Sequence, residues 1–341
     1  MLSNDISQDL PELYQLARWA EAGSPFYRVR VLANINCEQQ SLPMYCFELG
    51  SQNPRHPAVV FVGGVHGVER IGSQVLLSFM HTLFQQLKWD DILNLMLENL
   101  RVLFIPLANP GGMLLKRRAN PNGVDLMRNA PLEAEGKVSF MLGGHRVSRK
   151  LPWYRGHSSV QMEIESSALY REIAAITEHS EFLLTLDCHS GFGRIDRIWF
   201  PFAYTSDPFD NIGEMFALRL LFRRTYPNFS FYRIEPQSLQ YTTHGDLWDY
   251  FYLATRAKRQ GIFLPLTLEM GSWLWVKKNP RQIFASMGMF NPIMPHRQER
   301  VLRRHQSLFE FLMRAARANK EWLPNAEEQA DWATRAIEYW Y

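Results

Sequence analysis

The run Ala58-Val59-Val60-Phe61-Val62, followed closely by His66-Gly67-Val68-Glu69, is the part of the chain whose reading decides the fold. Five consecutive apolar residues read as a strand buried on both faces, which places it inside a sheet covered by helices. A histidine and a carboxylate three residues apart, held where that strand gives way to a helix, are two ligands of the kind zinc takes. His-x-x-Glu recurs by chance, so the rest of the chain must supply the remaining ligand. It does so in Leu183-Leu184-Thr185-Leu186-Asp187-Cys188-His189, a second apolar strand ending in histidine. Two His and one Glu are the ligand set of a catalytic zinc with an open position for water, one ion per chain.

Outward from that loop, Ile71 to Leu87 carries apolar residues at helical period and Leu100 to Leu107 reads as another buried strand. Helix and strand then alternate: Glu163 to Thr177 helical, Phe182 to Cys188 extended, Ile212 to Phe222 helical, Phe263 to Leu268 a final strand. The alternation predicts an α/β fold, a mixed, mostly parallel central sheet with helices on both faces. Ligands of such sheets gather beyond the carboxyl ends of the strands, where His66, Asn109, His189 and Glu269 all fall. Upstream, a helix from Asp9 to about Ala22 and a hairpin from Tyr27 to Leu49, turning at Glu38-Gln39-Gln40-Ser41, form a lead-in over about residues 1–54. Downstream, over about 296–341, an amphipathic helix from Glu299 to Ala318 and a shorter one after Pro324, ending in Trp340 and Tyr341, read as core-facing stripes. With no internal repeat, low-complexity segment or linker, residues 1–341 are read as a single domain.

With 341 residues, 46% hydrophobic and 13% aromatic, the chain has ample material for a core. A net charge of +3, with no basic block beyond Lys116-Arg117-Arg118 and Arg223-Arg224, argues against a nucleic-acid partner. The N-terminus is polar rather than signal-like, and no apolar run approaches the ~18 residues of a membrane span, so no membrane partner is expected. Cys37, Cys46 and Cys188 are a sparse, odd set compatible with a reducing compartment, and cytoplasmic residence is the expectation.

Between the two histidines stand Asn109-Pro110-Gly111-Gly112 and Arg117-Arg118-Ala119-Asn120-Pro121-Asn122-Gly123-Val124-Asp125-Leu126-Met127-Arg128-Asn129. Over roughly residues 55–275 the chain resembles the zinc carboxypeptidase A-type metallopeptidase family, including its murein peptide amidase-like members. The blocks of that family run His-x-x-Glu, Asn-Pro-[Asp/Gly]-Gly, Gly-Val-Asp-x-Asn-Arg-Asn, a strand ending Asp-x-His-Ser, and a late catalytic Glu. Each block is weak alone; their conjunction in order is specific. The resemblance implies that His66, Glu69 and His189 hold zinc. It gives Asp125 the task of orienting the first zinc histidine, against the plainer reading of a turn aspartate after Gly123. It makes Glu269, in Thr267-Leu268-Glu269-Met270-Gly271, the general base that takes the water's proton and passes it to the leaving amine. A surface glutamate at a strand end is the alternative, although burying a carboxylate there is costly unless metal or hydrogen bonds hold it.

The same resemblance makes Arg118, or its neighbour Arg117, the arginine stabilising the oxyanion. It makes Arg128, with Asn129 beside it, the receiver of a substrate carboxylate, for which a bidentate guanidinium is suited. Tyr241 is implied to cap the substrate and Trp248 to lie near the position setting side-chain preference, while Asp246 would favour a basic group. His244 as ligand of a second metal is weighed against simple exposure. Met127 departs from the pattern, standing where the family has an asparagine. Losing a hydrogen bond to a charged group costs about 1.5–3 kcal/mol, so the carboxylate is bound more weakly or the substrate lacks a standard C-terminus.

These readings make the protein a zinc metallohydrolase cutting an amide bond beside a carboxylate, as a metallocarboxypeptidase or cell-wall peptide amidase acting on a peptide or acyl amino acid. The alternatives are an N-acyl amino acid deacylase resembling succinylglutamate desuccinylase and aspartoacylase, and an inactive zinc-binding scaffold.

Overall fold

The computed structural model describes residues 4–191, 193–285 and 287–341, with side chains from Ser7 onward. In chain order the elements are α1 (Asn4–Asp9), α2 (Pro11–Ala22), β1 (Tyr27–Cys37), β2 (Gln40–Gly50), β3 (Ala58–Gly63), α3 (Arg70–Gln86), α4 (Asp91–Leu97), β4 (Arg101–Ile105), α5 (Pro110–Leu114), α6 (Ile164–Thr177) and β5 (Phe182–Gly191). There follow β6 (Asp196–Phe200), α7 (Ile212–Thr225), β7 (Tyr232–Pro236), α8 (Leu247–Thr255), β8 (Ile262–Gly271), α9 (Trp273–Lys278), α10 (Pro295–Arg304), α11 (Gln306–Arg317), α12 (Asn319–Trp322) and α13 (Gln329–Trp340). The strands form one sheet of eight, ordered β1-β2-β4-β3-β5-β8-β6-β7.

The four central strands, β4, β3, β5 and β8, are parallel, and the antiparallel joints lie outside them, at β1–β2, β2–β4 and β8–β6. Every residue of β3 is buried, as its apolar run predicts for an interior parallel strand. From β3 the chain steps one way to β4 through α3, then back past β3 to β5 through α6. Right-handed crossovers in opposite directions put those two helices on opposite faces. The reversal falls between β3 and β5, the switch point at which α/β sheets open a crevice for ligands.

Three features differ from the sequence reading. The lead-in hairpin turns at Glu38 and Gln39, both with positive φ, and β2 pairs with β4, so the hairpin is one wing of the sheet. The strands β6 and β7 are additional; each spans five residues, too few for a period to stand out. The Glu299–Ala318 helix is two helices, α10 and α11, parted at His305. That ring is buried, burial pushes its pKa down to about 3, and its Nδ1 shares a hydrogen bond with the Tyr232 hydroxyl at 2.7 Å. Beyond the break Phe309 packs on Phe61 of β3 and Phe79 of α3, at centroid separations of 5.3 and 5.2 Å.

Candidate active site

His66 follows β3 in the turn that leads into α3, and its loop is fastened from two sides. Asn109, after β4, donates from Nδ2 to the Val65 carbonyl at 3.1 Å while its Oδ1 accepts from Gly112 N–H as the cap of α5. Gly67 is needed for the close approach, since a Cβ there would collide with the Gly112 and Met113 backbone. Its N–H donates to the Arg118 carbonyl, 3.3 Å away, tying the metal loop to the arginine segment.

His189 and Glu269 lie within β5 and β8 rather than past their ends, and stand opposite each other in the parallel register. Gly191, two residues beyond His189, lets the Glu269 carboxylate lie across β5; a Cβ there would collide with Oε1.

His66, Glu69 and His189 form a buried cluster whose ligand atoms all lie within 4.8 Å of one another. The Nδ1 atoms of the two histidines face each other at 3.1 Å, and Glu69 reaches both, Oε1 to His66 at 2.9 Å and Oε2 to His189 at 3.1 Å. Each outer Nε2 sits against a carboxylate: Asp125 Oδ1 at 3.1 Å for His66, Asp187 Oδ2 at 2.7 Å for His189. With the Nε2–H groups given to those aspartates, two imidazole lone pairs and a carboxylate converge on one point. A bound cation satisfies that arrangement, so the residues fit zinc. Burial works against the charge on Glu69, but His66 and His189 hold its carboxyl well below the usual range. For Asp125, Arg118 and His66 outweigh burial in the same direction.

Asp187 matches Asp125 in role and escaped the sequence reading. Its signal was present, because residues i and i+2 of a strand share a face. Asp187 is held in turn by the indole N–H of Trp248, 2.9 Å from Oδ2. The expectation that Trp248 touches substrate is therefore corrected: it is buried behind the metal site and its N–H is committed to Asp187. Asn129 is corrected likewise, donating to the Arg155 carbonyl and accepting from the Glu163 N–H, and so committed to the loop that carries Arg128. Asp246 caps α8 through Trp248 and Asp249 N–H. His244 accepts from Ala134 N–H at 3.0 Å through Nδ1 and lies beside Glu133, and among the described residues it belongs to no cluster of metal-ligand groups.

The remaining expected residues meet around a cavity of about 740 Å³ lined by His66, Glu69, His189, Arg118, Arg128, Tyr241 and Glu269. Arg118 is the inward arginine, bridging Asp125 Oδ2 at 2.8 Å and Glu69 Oε1 at 3.1 Å, whereas Arg117 faces out toward the Pro121 carbonyl. Arg128 is buried, contacts two backbone carbonyls at 3.4 Å and lies 6.0 Å from the Tyr241 ring. No carboxylate pairs with Arg128 among the described residues. Met127 adjoins it on the cavity wall. Glu269 is pushed up to about 8, chiefly by burial and then by the charge of Glu69, against the pull of His189 and Arg118. Such a carboxyl is basic enough to accept a proton from water near neutrality.

Among families of known proteins, the model described as "Zinc carboxypeptidase" matches residues 35–276. Carboxypeptidase SOL1 of Arabidopsis thaliana is 28% identical over 107 residues, 30% of this chain and 22% of that protein. The carboxypeptidase N catalytic chain of Rattus norvegicus is 28% identical over 179 residues, 47% of this chain and 37% of that one. The chain thus spans well under half the length of these curated relatives. In fold it is similar to thrombin activatable fibrinolysis inhibitor, with a TM-score of 0.65 at 16% identity over 93% of this chain and 77% of the other. It is also similar to carboxypeptidase A of Helicoverpa armigera, with a TM-score of 0.57 at 16% identity over 89% and 81%.

Proposed function

Because the chain belongs to the zinc carboxypeptidase family, we propose that it removes the last residue from peptides carrying a free C-terminal carboxylate. The observation that carries this reading is the buried Arg128, a cation without a carboxylate partner on the wall of the cavity that holds the metal ligands and Glu269. A buried guanidinium with no carboxylate partner among the described residues is costly until an anion arrives, and a peptide's terminal carboxylate fits its fork.

Bound zinc supplies Lewis-acid polarisation of the scissile carbonyl and acidifies water. The chain's own residues do the rest. Arg128 anchors the terminal carboxylate and thereby fixes which bond reaches Glu269. Glu269 takes a proton from the attacking water and delivers it to the departing amine. Arg118, held by Asp125 and Glu69 through Nε and Nη1, has Nη2 left for the oxygen that becomes negative. Asp125 and Asp187 keep both imidazoles in the tautomer that offers Nδ1 to the metal.

The test is a panel of unblocked-C-terminus peptides, γ-D-glutamyl-diaminopimelate peptides and N-acyl amino acids, with products identified by mass spectrometry. Zinc-restored protein releases single C-terminal residues from the peptides, and Glu269→Gln loses at least a hundredfold in kcat while retaining the metal. Turnover confined to N-acyl amino acids would show that the deacylase reading is the right one.

A further inference from the structure

Cations on the cavity wall outnumber the tasks just assigned. Arg118 and Arg128 have theirs, yet Arg194 and Arg197 line the same space. Arg197 lies on β6 directly across from Glu269 in the antiparallel register, and Trp199 lies across from Thr267. All four line the cavity, so two neighbouring strands present one face to it beside the general base. Tyr241 connects this face to the carboxylate anchor, its ring 5.9 Å from Trp199 and 6.0 Å from the Arg128 guanidinium.

Arg197 is held from behind. Its Nε donates to Glu235 Oε1 at 3.0 Å, while the other oxygen of Glu235 takes Arg233 at 2.5 Å. One buried carboxylate shared by two arginines leaves a net positive charge, and neither Nη of Arg197 has a hydrogen-bond partner among the described residues. Trp199 adds a buried indole N–H with no acceptor among the described residues. The carboxylates of the cavity are already engaged: Glu69 in the metal cluster, Glu269 as the base. Asp246, the carboxylate expected to favour basic groups, caps a helix instead. A substrate lysine finds no free anion here, and an apolar side chain would strip water from Arg197 without replacing its hydrogen bonds.

We propose that Arg197 sets the specificity of the cavity for a C-terminal residue bearing a second anionic group, glutamate or aspartate, whose side-chain carboxylate pairs with the Arg197 guanidinium. The inference rests on the carboxypeptidase reading and sharpens it. Glu235 acts as a positioning residue, turning the guanidinium fork inward.

The experiment compares N-blocked dipeptides identical but for their last residue, Glu, Gln, Leu or Lys, with zinc-loaded wild type, Arg197→Gln and Arg197→Lys. Glutamate and glutamine share a shape, so their ratio isolates the charge. Wild type is expected to cleave the Glu substrate with kcat/KM about 10- to 100-fold above Gln, mainly through KM. Arg197→Gln brings that ratio near one, and Arg197→Lys keeps part of it, which a merely structural role for Arg197 does not reproduce. A wild-type ratio near one, or a preference for Leu or Lys, overturns the acidic specificity and leaves the carboxypeptidase reading standing. A preference for Glu that survives in Arg197→Gln overturns the assignment to Arg197. Failure to release any of the four residues removes the carboxypeptidase reading and the inference with it.

Discussion

Asp187 has no contact with substrate to make, yet the whole metal site leans on it. It accepts from His189 Nε2 and from the Trp248 indole through the same oxygen, so the chain Trp248–Asp187–His189 fixes both the tautomer and the angle of a candidate metal ligand. Asp187→Asn is expected to weaken zinc binding about 10- to 100-fold, measured by competition with a chelator of known affinity. Trp248→Phe, which removes only the N–H donor, should move it in the same direction by less. At Glu269 the expectation concerns pH. Its carboxyl is raised from the ordinary 4.5 to about 8 before metal binds, and a cation nearby draws it down again. Since the charged form is the proposed base, the sign follows: kcat/KM is expected to rise with pH through a limb between those two values. Glu269→Gln should lack that limb in whatever activity remains. These residues were legible in unequal degree. His66, Glu69, His189 and Glu269 carry their chemistry in their type and place beside apolar strands. Trp248 and Asn129 do not, because whether a polar side chain turns to a cavity or to a neighbouring loop depends on partners far away in the chain, here Asp187 and Arg155.

At the scale of elements, the central parallel strands declared themselves through unbroken apolar runs, and α3 and α6 through their period. The short β6 was invisible for the same reason: five residues, Asp-Arg-Ile-Trp-Phe, become a strand by pairing with β8 on one side and β7 on the other. That pairing is what brings Arg197 opposite Glu269. The break between α10 and α11 was equally hidden, since the amphipathic stripe runs through it and the Tyr232–His305 hydrogen bond found there joins residues far apart in the chain. The helix beyond the break bears on stability directly. Phe309 is fully buried between β3 and α3, so Phe309→Ala should destabilise the protein by about 3–5 kcal/mol, read from chemical denaturation. Activity per folded molecule should be retained, because Phe309 does not line the catalytic cavity.

Across the whole molecule, the switch between β3 and β5 gathers residues more than a hundred positions apart into one metal site, the two histidine Nδ1 atoms ending 3.1 Å from each other. A ligand that binds only this folded arrangement stabilises it by mass action, about 2.7 kcal/mol at a hundredfold excess over its Kd. Chelation should therefore lower the melting temperature by a few degrees and added zinc restore it, an effect His66→Ala and His189→Ala should abolish. The same gathering puts Arg128, which has no carboxylate partner among the described residues, on the wall of the cavity that holds the metal cluster. The most direct measurement is the rate at which zinc-loaded protein cleaves one peptide presented as its free C-terminal acid and as its C-terminal amide. The acid is expected to lose single residues in sequence, with the amide cut at least a hundredfold more slowly. Equal cleavage of the two would contradict that expectation.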